Sequence, residues 1–340
     1  MSGTDTNIQT ADPSGCLSID AVKPSPYWLS PNVIMTTKPM DPSDIYPGVN
    51  TTSVVVSWKD DCAFAPPQAG LNTAVFDLYA GDPTVAMTPA VLDAIASAVP
   101  ITISAGQANI PAPVPSWNAG GLPHLTQPHH ACLLARVYPL GATPDTGDLA
   151  GYTAADPHYA QHNCTVDTTD GQGMFRIAIA NGTSNREPKL VVLQAVPDLN
   201  PNKTVLDAVL PSLKLHPGFK QIATTPLRHV EFDLSAFKGH HQSLLDKIED
   251  WIEKKVLELI EDLEGKCHKA QGITARVVLP PGLFAKFDFI LDLSGAKPGD
   301  AHIYHVSQVS GNAPTAGTVP AAAAPGLEPA GGLTMAVLRI

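Results

Sequence analysis

The sequence predicts an all-β (mainly β) chain that folds as two β-sandwiches, the second carrying one long inserted amphipathic α-helix. Three observations predict this. Short segments rich in β-branched and aromatic residues recur along the 340 residues, with turn formers between them. Several of these segments alternate apolar and polar residues, the period of a strand with one buried face. Only two stretches have helical periodicity, whereas a parallel α/β fold needs a helix between most successive strands.

Residues 1–25 are polar and rich in turn formers, and are expected to be an N-terminal arm. A first sandwich is expected over 26–168. Its candidate strands are 32–38, 51–59, 73–80, 101–105, 131–138 and 163–167. VVVSW and AVFDLYA carry the residue types that strands prefer. Between 89 and 99, PAVLDAIASAV predicts a short helix, with Thr88 as its N-cap and Pro89 at its first position. DTTDGQG, over 167–173, has no large apolar residue and two glycines, and is the expected domain boundary.

The second sandwich is expected over 174–340. Its candidate strands are 174–180, 189–195, 227–234, 273–279, 285–291, 303–309 and 333–340. FRIAIAN and KFDFILDL alternate. Residues 243–264 predict the inserted helix. Ser243 is its N-cap, Asp246 stands at the third helical position, and Gly265 stops it. Leu245, Ile248, Ile252, Val256, Leu259 and Leu263 form one stripe, which Trp251 widens. A stripe this wide needs a second covering surface, so these seven residues are the candidate interface. The Ala- and Pro-rich stretch 312–330 is an expected loop, long enough to be functional or held by a partner.

Charged residues make up 16% of the chain, against roughly 25% in an ordinary soluble domain. Thirteen of them crowd into 246–269, so the sandwiches are poorer still. The net charge of −11 gives no footprint for nucleic acid. No apolar run is long enough for a transmembrane helix. The N-terminus has no basic n-region and no apolar h-region, so no cleavable signal peptide is expected. The five cysteines match no zinc or haem spacing. Cys132 and Cys164 are the best pair for a disulfide in an oxidising compartment. The N-x-[ST] triplets at Asn50, Asn163, Asn181 and Asn202 are taken as chance.

His130-Ala131-Cys132-Leu133-Leu134-Ala135-Arg136-Val137 resembles the H-x-C-L-L-A-R-[IV] strand of bacterial Ig-like, cell-adhesion-type modules attached to exported or surface proteins. Tyr27-Trp28-Leu29-Ser30-Pro31-Asn32-Val33 resembles their entry into the first strand. Ala160-Gln161-His162-Asn163-Cys164 resembles their Asn-containing strand start. Val306-Ser307-Gln308 with Gly331-Gly332-Leu333-Thr334 resembles their closing hairpin. The resemblance covers 27–170 well and 174–340 loosely. It implies two Ig-like sandwiches, and an extracellular or particle-surface location by a non-classical route rather than the cytoplasm. Ala131 stands where an aromatic is common, and the helix and the Ala/Pro loop look like insertions.

No nucleophile elbow, P-loop or HExxH is present. His158 and His162 would share a face if helical, and with His130 they are the weak metal candidates. Ordinary loop and strand histidines are the favoured alternative. The expectation is a non-enzymatic structural protein without cofactor. It would be a homo-oligomeric subunit of a filament, tube or surface layer, built through arm exchange and helix and loop contacts. An adhesion or binding module with a cell-surface or particle partner is the alternative, and an enzyme accessory domain the third.

Overall fold

The computed structural model describes residues 17–36, 49–58, 73–82, 92–103, 106–123, 125, 132–140, 142, 156–180, 189–233, 272–279, 284–312 and 328–340. They are mostly β. Described residues up to Cys164, with Asn202–Leu215, form one compact unit; Thr165–Pro201 and those from His216 onward form the other.

The first unit contains β1 (Leu17–Ser18), β2 (Val33–Met35), β3 (Val49–Asn50), β4 (Thr52–Trp58), β5 (Thr73–Gly81), β6 (Asp93–Thr102), β7 (Ile110–Pro111), β8 (Trp117–Asn118), β9 (Cys132–Pro139) and β10 (Tyr159–His162). β1, β2 and β7 all pair with β4, and a second sheet runs β10-β9-β5-β6. In β4 the residues Thr52, Val54, Val56 and Trp58 are buried and those between them are half-exposed, the period-2 pattern of a half-covered sheet. Val54, Val56 and Trp58 share one core with Phe76, Leu78, Leu133, Ala135 and Val137 of the second sheet. The alternate residues Val75, Cys132, Leu134 and Tyr138 form a separate buried cluster with Tyr159. The second sheet is thus buried on both faces, which is why CLLARV is nearly unbroken in its apolar character.

The helix expected at 89–99 is a correction: from Asp93 on, the chain is strand β6, paired with β5 from Thr73↔Thr102 to Ala80↔Asp93. The register slips twice along the pair, and Ala98 has a φ of 52°, so β6 is bulged. Sheet pairing overrides the helix propensity of its alanines. The α-helix among the described residues is instead α1 (Lys203–Leu213), which sequence reasoning missed. Asn202 is its N-cap, its side-chain oxygen accepting from the Val205 amide, while its Nδ2 donates to the Ser25 carbonyl.

The second unit contains β11 (Cys164–Thr169), β12 (Gln172–Ala180), β13 (Lys189–Pro197), β14 (Gln221–Ile222), β15 (His229–Asp233), β16 (Ile273–Leu279), β17 (Phe284–Asp292), β18 (Asp300–Asn312) and β19 (Glu328–Arg339). One sheet runs β11-β19-β18-β13-β16, with β14 parallel on β18; the other runs β12-β17-β15. Their inner faces share a core in which Phe175, Ile177, Phe287, Phe289 and Leu291 meet Val191, Leu193, Tyr304, Val306, Met335 and Val337. A turn at Asp170–Gly171, capped by the Thr169 hydroxyl, carries the chain from β11 in one sheet to β12 in the other. Gly272 leads into β16 with a φ of 84°; a Cβ there would lie 2.3 Å from the Ala195 carbonyl oxygen. No helix among the described residues is long and apolar enough to cross a membrane.

Phe289 is fully buried between the two sheets, its ring tilted against Phe232 and edge-on to Tyr304. Phe289→Ala is expected to destabilise the second unit by about 3–5 kcal/mol, read by denaturant titration.

Candidate functional site

β10 is an edge strand on one side only in a formal sense. Its even-numbered neighbours face β9, where the Val137 amide donates to the His158 carbonyl. Its odd-numbered backbone groups face away and meet residues 17–32, which run along the edge as a strap. The Pro157 carbonyl accepts from the Ile19 and Asp20 amides, and the Gln161 carbonyl accepts from the Ser30 amide. The Asn163 amide donates to the Trp28 carbonyl, and Leu29 bridges to His162. Between these contacts the strap leaves the strand, and the Lys23 ammonium donates to the Tyr159 carbonyl in place of a backbone amide.

A buried polar cluster fastens the strap. Asp20 Oδ1 accepts from Ser30 Oγ at 2.8 Å and from Asn32 Nδ2 at 3.0 Å. Asp156 Oδ1 takes the His158 amide at 3.0 Å and lies 2.5 Å from His158 Nδ1. The Oδ2 atoms of Asp20 and Asp156 are both buried without a hydrogen-bond partner. Burial pushes the Asp20 carboxyl up and the Lys23 amine down to about 8, although Asp20 and Asp156 both favour its charge.

His158 and His162 do not converge on a metal. The segment is extended rather than helical, so the two rings are separated by roughly 13 Å of chain. His158 is engaged with Asp156, and His162 Nδ1 lies 3.0 Å from the Ser30 carbonyl oxygen. His130 lies outside the described residues, as do the candidate interface residues Leu245, Ile248, Trp251, Ile252, Val256, Leu259 and Leu263, the helix 243–264 that carries them, and residues 313–327 of the Ala/Pro loop. Among the described residues no group of three or more His, Cys, Asp or Glu side chains is placed to hold a metal ion. Cys132 and Cys164 are both buried and are not joined by a disulfide. Asn50 and Asn163 are buried, and Asn202 is occupied as a helix cap, so these three triplets do not present a free side chain to a sugar.

Two further polar arrays were not foreseen. On the outer face of the second sheet of the first unit, Asp77 accepts from Arg136 Nε at 2.6 Å, the Ala98 amide at 2.6 Å and the Tyr138 hydroxyl at 3.2 Å. The Arg136 guanidinium lies over the rings of Tyr79 and Tyr138. Burial pushes both phenols up to about 12. The signal was present: Asp77 and Arg136 interrupt otherwise apolar strands. In the second unit His305 joins Thr334 Oγ1 at 3.0 Å through Nδ1 and Asp198 Oδ2 at 2.9 Å through Nε2. That order imitates a nucleophile, base and orienting acid. However, Thr334 is fully buried and directly opposite His305 in the β18–β19 ladder, so the array has no room for a substrate at the hydroxyl. It is a cross-strand clasp that also ties down Asp198.

No protein-family model matches the chain, and no curated protein is similar to it in sequence.

The chemistry available at the strap is therefore proton exchange and segment docking. With the folded Lys23 near 8 and the unfolded near 10.5, the unfolded chain binds more protons between these values, so stability rises with pH across that window. Above about pH 10 the Tyr79 and Tyr138 phenols act with the opposite sign, because the folded state holds their protons longer. Denaturant titrations are expected to show stability rising by up to about 1 kcal/mol per pH unit from pH 8 to 10, a slope that Lys23→Met abolishes.

Proposed function

We propose that the chain is a non-enzymatic structural protein whose two units are Ig-like sandwiches and which assembles with copies of itself by exchanging the N-terminal strap. The observation that carries this reading is the strap's geometry. Residues 17–20 are joined to the rest of the unit by a short segment containing Pro24 and Pro26, and they complete β4 on one side while meeting the turn before β10 on the other. Both are backbone-mediated strand additions. A neighbour's strap offers the same groups in the same order, so exchange keeps every contact and needs no new surface.

The low share of charged residues supports the same reading, because few strongly hydrated side chains must be desolvated when copies pack. The Ig-like reading is supported by facing antiparallel sheets with a shared core in each unit. It also draws on the stretches that resemble Ig-like modules, which are partners in space. Trp28 and Ser30 meet Gln161, His162 and Asn163, while Val306, Ser307 and Gln308 pair with Leu333, Gly332 and Gly331.

Ser18 of β1 stands directly opposite Ser57 of β4. The double variant Ser18→Cys/Ser57→Cys, oxidised and run on a non-reducing gel beside the wild type, is expected to give a ladder of covalent multimers. A covalent bond formed only within single chains, together with a sole 35.7-kDa species in size-exclusion chromatography with light scattering, would overturn the proposal.

A further inference from the structure

We infer that the folded chain cuts its own backbone at Asp156–Pro157, with the Asp156 carboxyl as the nucleophile. The cut happens once in each chain. It goes beyond the structural role and holds whether or not copies assemble.

Four Asp–Pro bonds occur in the sequence: Asp12–Pro13, Asp41–Pro42, Asp82–Pro83 and Asp156–Pro157. Two features weaken such a bond. Its nitrogen is that of a tertiary amide, which leaves as a secondary amine. The aspartate carboxyl also reaches its own carbonyl carbon through a five-membered ring, so the attack is intramolecular. In an unfolded chain the closure is slow, because the carboxyl is hydrated and turns freely.

The fold removes both hindrances at Asp156, whose side chain is fully buried. Oδ1 is held by the His158 amide at 3.0 Å and lies 2.5 Å from His158 Nδ1. Oδ2 is buried and has no hydrogen-bond partner. One oxygen is thus fixed, and the other is stripped of the donors that would quench it. The scissile carbonyl is engaged as well: its oxygen accepts from the Tyr159 amide at 3.2 Å. That donor stands where negative charge develops when the carbon is attacked. The Lys23 ammonium, held on the Tyr159 carbonyl, adds a positive charge that acts on Asp156.

In the reaction, Oδ2 bonds to the Asp156 carbonyl carbon, and the bond from that carbon to the Pro157 nitrogen breaks. The proton shared by Oδ1 and His158 Nδ1 passes to the nitrogen. The products are a cyclic anhydride on Asp156 and a secondary amine on Pro157. One water then opens the anhydride, which leaves two carboxyl groups on residue 156. The two pieces stay together. β10 remains paired with β9 from Tyr159 onward, and the Pro157 carbonyl keeps the Ile19 and Asp20 amides.

The test is incubation of the full chain at about pH 6 and about 37 °C, folded and in about 8 M urea, followed by denaturing mass spectrometry and N-terminal sequencing. The folded chain is expected to yield pieces 1–156 and 157–340 at least about tenfold faster than pieces from any of the other three Asp–Pro bonds. Urea is expected to remove that preference. Asp156→Ser keeps an acceptor for the turn but has no carboxyl, and is expected to stay whole. His158→Phe is expected to be cut at least about tenfold more slowly, for want of the proton carrier. If neither variant folds, the comparison of folded and urea-treated wild type decides. The inference is overturned if no piece begins at Pro157, or if that piece forms no faster from the folded chain than in urea. A cut at the same bond in folded Asp156→Ser also overturns it, because the carboxyl is then not the nucleophile.

Discussion

The first unit depends on sealing the outer edge of β10. A strand of four residues presents carbonyls and amides on both sides, and one side is met by β9. Left open, the other side would be a template for any passing strand. Residues 17–32 close it, using backbone amides at Pro157 and Gln161 and an ammonium group at Tyr159. The same segment begins with β1 on β4 and ends in β2 on β4, so it also stitches the two sheets over their shared core. The buried polar residues around it follow from this: Asp20, Ser30 and Asn32 hold the strap's own turns together because its irregular backbone cannot do so through a ladder.

The second unit solves the corresponding problem with length. β18 spans thirteen residues and pairs with β13 and β19 along most of them, while β14 adds to its first residues. Where the β18–β19 ladder slips between Gln308 and Val309, regularity resumes in front of the two glycines Gly331 and Gly332. Further toward β14, His305 clasps Thr334 and Asp198 at the half-exposed end of the core, and the Tyr304 hydroxyl accepts the Leu227 amide inside it. Polar side chains thus hold the ends of the sheet, and aromatic packing fills its middle.

Period-2 alternation made most of the strands legible. β16 is Ile273–Leu279 as expected, and β4, β5, β9 and β17 differ from expectation by one or two residues at their ends. What failed depended on partners the local sequence does not carry. PAVLDAIASAV has the composition of a helix, but Asp77, buried on β5, takes the Ala98 amide and fixes the bulge of β6. The Asn202 triplet concealed a helix cap, and α1 carries a proline, Pro211, in its last turn. The His158–His162 spacing has meaning only once the backbone is known. In an extended segment, a separation of four residues sets the rings far apart, and each imidazole found its own oxygen. The cluster Asp20–Lys23–Asp156–His158 had no local signal at all, since it joins the strap to residues more than a hundred positions away.

The scarcity of charge looks different once those partners are known. Asp20, Asp77, Arg136, Asp156 and Asp288 are buried, and each is tied to named neighbours rather than to water. A buried charge gains little net stability, because desolvation offsets most of the attraction. What it does supply is discrimination. Arg136 must meet Asp77, and Asp20 must meet Ser30 and Asn32, so a slipped register or a misplaced strap leaves a charge stranded at a cost of several kcal/mol. In a chain of many short, apolar strands, where hydrophobic contact alone distinguishes poorly between neighbouring registers, that penalty selects the pairing. These five buried charges therefore stand at the places where the fold has to choose.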